Sequence, residues 1–110
     1  MKQLKCSQVN PQYGQLEINI RFHGKYLFMK FSGDNPQKNQ MINQLKMKGA
    51  EIIEREEWIR VNMFKNQNLV KLGNKEFDVT KISETEVENI LFDFYKERYI
   101  QAHFQVEEVK

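Results

Sequence analysis

From Gln15 to Phe22 the chain alternates, with Leu16, Ile18, Ile20 and Phe22 on one side and Glu17, Asn19 and Arg21 on the other. A period of two with one apolar face predicts a half-buried strand. Leu27, Met29 and Phe31 repeat the pattern. The intervening His23-Gly24 predicts a two-residue turn, because Gly takes positive φ freely and His visits the left-handed region more than most residues. Closing the hairpin there sets Phe22 opposite Lys25, Arg21 opposite Tyr26 and Glu17 opposite Lys30. Apolar residues then meet on one face, and Glu17 finds a cation on the other.

Ser32-Gly33-Asp34-Asn35-Pro36 ends this hairpin and opens a helix, with Asp34 or Asn35 as N-cap and Pro36 in the first turn. Met41, Ile42 and Leu45 supply its apolar stripe, and Gly49 suits a left-handed C-terminal position. Ile52-Ile53 and Trp58 to Phe64 then read as two strands turning near Glu56-Glu57. A helical period also connects positions 42, 45, 52, 59 and 63, so one long helix over 36–64 is the alternative. Leu69 to Val79 predicts a second hairpin turning on Gly73-Asn74, with Val70 facing Phe77 and Lys71 facing Glu76. Ser83-Glu84-Thr85-Glu86 is a capping box flanked by Ile82 and Val87 as a hydrophobic staple. Val87, Ile90, Leu91 and Phe94 form the expected buried face of the helix that follows. From Ile100 the period returns to two through Ala102, Phe104 and Val106, which predicts a terminal strand. A short strand around Leu4 to Val9 completes the order. The expected fold class is α+β, an antiparallel sheet of about five to seven strands with two helices packed on one face. Without a repeat or a Pro/Gly-rich linker, residues 1–110 are expected to form one domain.

Composition adds exclusions more than identity. Hydrophobic residues are 40% and charged residues 29% of the chain, ordinary for a folded globular protein and unlike disorder. No apolar run approaches the ~20 residues of a membrane span, and residues 1–10 lack the apolar core of a secretory signal. A cytoplasmic location is the expectation, and the single cysteine, Cys6, fits a reducing compartment. Ten Asn and ten Gln, with alanine only at positions 50 and 102, suggest an AT-rich genome, as in many bacteria, their phages and plasmids, and ciliates. The net charge of +2 is unevenly spread: residues 1–50 hold eight Lys/Arg against Glu17 and Asp34, whereas residues 82–110 hold three against seven acids. Such a dipolar molecule can steer an acidic partner to its N-terminal half.

Candidate chemistry is sparse. No phosphate-cradling, zinc-hydrolase or nucleophile-elbow motif occurs, and Cys6, His23 and His103 are too far apart in sequence for a metal-ligand pattern. No metal or cofactor is expected. A Cys–His pair built from Cys6 and either histidine keeps a small hydrolase-like enzyme as an alternative, because such partners meet only in the fold. Glu51, Glu54, Glu56 and Glu57 read as a solvated charge cluster.

Two surfaces are more informative. Asn19, Arg21, Tyr26, Phe28 and Lys30, on the outer side of the first hairpin, together with Lys25 next to its turn, mix aromatic rings with cations as single-stranded DNA or RNA binders do. Trp58, Arg60 and Phe64 fall on the more polar side of their strand, a use of large side chains that protein interfaces favour. The leading expectation is a small, non-enzymatic binding protein of phage or mobile-element type. It would modulate a larger host machine by occupying a surface, as an anti-CRISPR-like or other anti-defence inhibitor does. The alternative is a single-stranded nucleic-acid-binding accessory protein.

Overall fold

The alternating stretch at the start of the chain becomes the middle of a six-stranded antiparallel sheet. The computed structural model describes residues 2–33, 35–65 and 67–109. Three consecutive strands, β1 (Lys2–Asn10), β2 (Gly14–His23) and β3 (Tyr26–Phe31), form a meander. Helix α1 (Gln37–Met47) leads to the hairpin β4 (Glu51–Arg55) and β5 (Trp58–Asn62). A separate two-stranded ribbon, β6 (Leu69–Leu72) and β7 (Lys75–Asp78), precedes helix α2 (Glu84–Gln101) and the last strand β8 (Gln105–Val109). The order across the sheet is β4-β5-β3-β2-β1-β8. β5 therefore docks on β3, and β8 returns to pair antiparallel with β1, Gln3 opposite Val109.

The pleat sorts side chains by parity. Leu4 and Cys6 of β1, Ile18, Ile20 and Phe22 of β2, Leu27 and Met29 of β3, and Ile59 and Val61 of β5 are all buried on one face. Both helices cover that face: α1 brings Met41, Ile42 and Leu45, and α2 brings Val87, Leu91, Phe92, Tyr95 and Tyr99. Val70 of β6 joins the same core. Helices and ribbon being on this side, no helix or strand among the described residues covers the opposite face of the sheet.

Several expectations shift in detail. The first hairpin turns on Gly24-Lys25, one residue later than expected, with His23 opposite Tyr26 and Arg21 opposite Phe28. Gly24, at φ +58°, takes the first turn position, where the favoured hairpin turns need a positive φ. Partners move by two residues, an even number, so every side chain keeps its face. The β6–β7 hairpin has the expected register, Val70 with Phe77 and Lys71 with Glu76. The alternative of one long helix is replaced by α1 followed by β4 and β5. At the start of α1, Asn35 Oδ1 accepts the Gln37 N–H (2.9 Å); Asp34 lies outside the described residues.

The largest difference is at the end of α2. Ser83 Oγ accepts the Glu86 N–H at 3.2 Å, half of the expected capping box. The helix, however, runs on to Gln101 where a strand was expected from Ile100. Tyr95 and Tyr99 continue the four-residue stripe begun by Val87 and Leu91, and burying two aromatic rings outweighs the alternation of Ile100, Ala102 and Phe104. His103 then stands in the left-handed region at φ +66°. The His103 N–H donates to Ile100 O and the Phe104 N–H to Tyr99 O, both at 3.0 Å, which closes a Schellman motif. The Phe104 ring meets Tyr99 edge-on at 5.2 Å, the apolar contact that usually accompanies it. α1 ends the same way, Gly49 (φ +86°) donating to Lys46 O and Ala50 to Leu45 O.

Candidate functional site

The uncovered face of the sheet gathers what the sequence divides between two candidate surfaces. Parity sends Glu17, Asn19, Arg21 and His23 of β2, Tyr26, Phe28 and Lys30 of β3, and Trp58, Arg60 and Asn62 of β5 to this side. Because β5 pairs with β3, one row reads Arg21, Phe28, Arg60 on three adjacent strands, extended by Gln3 of β1 and Ile53 of β4. A second row reads His23, Tyr26, Asn62.

The two arginines lie on rings. The Arg21 guanidinium is 4.3 Å from the centroid of Trp58, two strands away, so its side chain passes over β3. The Arg60 guanidinium is 5.5 Å from the centroid of Tyr26. Trp58, Tyr26 and Phe28 are all half-buried. Among the described residues neither arginine has a carboxylate within 4.0 Å, whereas Lys5 pairs with Glu17 (3.9 Å) and Lys30 with Glu57 (3.1 Å). Lys65 pairs with Glu51, and its hydrogen bond, ahead of the charges of Lys65 and Arg60, holds the Glu51 carboxyl below the usual carboxylate range. The face is thus aromatic at its centre, with rings overlain by arginine and mixed charge around them.

Trp58 and Arg60 share this surface with Asn19, Arg21, Tyr26, Phe28 and Lys30. Two candidates stand elsewhere. Lys25 sits in the β2–β3 turn and lines a recess with Glu84 and Thr80 rather than the sheet face. Phe64, expected beside Trp58, is buried in the core and meets Phe77 edge-on at 5.9 Å. The alternation that would have put it outside ends at Asn62, whose Oδ1 accepts the Phe64 N–H (3.4 Å) in the turn after β5. Ile53 and Gln3 belong to the face but carry no local signal, since strands far apart in sequence bring them there. His23, expected in the turn, is instead the last residue of β2, and Asn62 follows Trp58 and Arg60 on the polar side of β5 with nothing local to join it to His23.

The enzymatic candidates are dispersed. Cys6 is on the helix side of β1 and fully buried, and burial pushes its thiol up to about 12, so it holds no thiolate at neutral pH. His23 lies on the opposite face, and His103 is at the end of α2. Among the described residues no three His, Cys, Asp or Glu side chains converge as a metal site would require. Glu51 faces the open side, Glu54 the other, and Glu56-Glu57 form the turn, so these carboxylates do not converge either. Among the described residues, no helix is long and apolar enough to cross a membrane. No protein-family model, curated protein or solved structure matches the chain.

Proposed function

We propose that this chain is a non-enzymatic binding protein that docks a partner protein on the open face of its sheet. Trp58, Phe28 and Tyr26 serve as anchors, and Arg21 and Arg60 as polar contacts. The observation that carries the reading is the Arg21–Phe28–Arg60 row with its guanidinium groups over Trp58 and Tyr26. Trp, Tyr and Arg are the residues that dominate binding energy at protein interfaces. A guanidinium already resting on a ring loses less freedom when a partner arrives.

A single-stranded nucleic acid fits less well. A base-stacking platform needs a groove of one positive sign, and here Glu17 and Glu51 are interspersed while Lys5 and Lys30 are paired. Size and composition extend the proposal to a modulator of a larger host machine, of the phage or mobile-element, anti-defence kind.

The test is affinity capture from a nuclease-treated lysate of the source organism with the natural chain, Trp58→Ala and Arg60→Glu. Recovery of a protein with the natural chain, and its loss with Trp58→Ala, supports the reading. A direct titration should then show affinity lowered by about thirtyfold or more, the equivalent of ~2 kcal/mol at an anchor. Capture that survives both substitutions, or binding only to single-stranded oligonucleotides at low salt, overturns it.

A further inference from the structure

On the helix side of the sheet, away from the open face, a groove of about 300 Å³ lies between α1, α2 and β6. Its floor is apolar, built from Met41, Leu45, Met63, Val70 and Phe94. Its charged lining is of one sign: Lys48, Lys71 and Arg98, with no carboxylate among the described residues that line it. Nor does any of the three form an ion pair within 4.0 Å among the described residues. Arg98 is held in place at this boundary between the helices, its Nη2 donating to Gln44 Oε1 at 3.0 Å.

Tyr95 lines the same groove. Its ring is buried, and among the described residues its hydroxyl reaches one partner, the Met63 sulfur at 3.5 Å. A thioether is a weak acceptor, so this buried hydroxyl retains most of its hydrogen-bonding capacity. Pockets that bind small molecules combine these features, an apolar floor and a few convergent polar groups. Two methionines in the floor add adaptability, because their unbranched side chains repack around different shapes.

We infer that the groove binds a small anionic amphiphile, its apolar body on the Met41–Met63 floor and its carboxylate or phosphate head among Lys48, Lys71 and Arg98. Charge selects the head: an anion finds three cations without carboxylate partners among the described residues, an uncharged head gains little, and a cationic head is repelled. Volume limits the body. At about 30 Å³ for each water-sized group, 300 Å³ admits on the order of ten heavy atoms. The ligand bridges α1 and α2, so its effect is to stiffen their junction without touching the open face.

The experiment uses the whole chain carrying ¹³C-methyl methionine, titrated below micelle concentrations with decanoate, decyl phosphate, decanol and decyltrimethylammonium. Decanoate or decyl phosphate is expected to move the Met41 and Met63 methyl resonances and to leave those of exposed Met47 and sheet-buried Met29 in place. The tighter of the two anions identifies the head. Lys48→Glu with Lys71→Glu, both at exposed positions, should weaken that binding at least tenfold with an unchanged thermal melt. The inference is overturned if decanol or the cation binds as tightly as the anions, if the double charge reversal leaves affinity unaltered, or if no compound moves Met41 and Met63.

Discussion

The Arg21 guanidinium reaches across β3 to rest 4.3 Å above Trp58, which links the two surfaces singled out in the sequence. The contact is a cation–π pair on a half-exposed face, and such pairs contribute about 0.5–1 kcal/mol. Arg21→Ala should therefore lower stability in urea by that amount. Trp58 is the chain's one tryptophan, so its emission reports the loss directly. An unaltered emission spectrum together with an unaltered melt would show that the pair does not form in solution.

Phe64 and Phe28 should separate clearly on truncation. Phe64→Ala removes a ring buried against Phe77 and is expected to cost ~3–5 kcal/mol. Phe28→Ala, on the open face, should cost distinctly less because its ring already meets water. Equal losses in denaturant melts would place both rings in the same environment and contradict the burial of Phe64 alone.

His103 occupies a backbone conformation that favours glycine. His103→Gly should raise stability by about 0.5–1 kcal/mol, the relief at a left-handed position being partly offset by the greater freedom of glycine in the unfolded chain. His103→Val should do the opposite, since a β-branched residue at positive φ is strained. The pair of thermal melts is decisive through its signs; a stabilising valine would remove the Schellman ending of α2.

Alkaline pH should loosen the fold through three buried acids. Burial raises the Cys6 thiol from 9.0 to about 12 and the Tyr95 phenol from 10.0 to about 12, the latter despite the opposing charge of Arg98; Tyr99 is raised as well, again by burial first. The unfolded chain releases these protons near their ordinary values while the native chain holds them. Stability is consequently complete below about pH 9 and falls between about pH 9 and 12. Urea midpoints at pH 7, 9 and 10.5 would reveal the decline, and Cys6→Ala should make its first part shallower. A midpoint constant up to pH 10.5 would count against burial of these groups.

Local chemistry made much of this fold legible. Gly73-Asn74 between two apolar runs specified the β6–β7 register, and Ser83 three residues before Glu86 marked the start of α2. Sequence pattern and structure part where two local signals compete. At the end of α2, Tyr99 belonged to a helical stripe and Ile100 to an apparent strand, and only packing against Phe104 decides between them. Around Phe64 the alternation was real as far as Asn62, but nothing in it marks where β5 stops. The open face shows a different limit. Arg21, Tyr26, Phe28, Trp58 and Arg60 were each identifiable, yet their union depends on β5 pairing with β3 across the whole of α1 and β4, and non-local pairing leaves no periodic trace in the chain.

The β1–β8 ladder joins residues about a hundred positions apart, and this separation affects how the sheet is assembled. Closing so long a loop carries an entropic cost that the two-residue turn between β2 and β3 avoids, which favours early formation of the meander and late arrival of β8. Once docked, β8 buries little: Val106 is half-buried and its four neighbours are exposed, leaving the backbone ladder and the Lys96–Glu108 pair to hold it. A chain whose β8 has not yet docked, or has peeled away, presents the backbone of β1 as a vacant sheet edge. The position that completes the sheet in one molecule is then a template for the same strand from another, and strand exchange between copies becomes this topology's characteristic hazard.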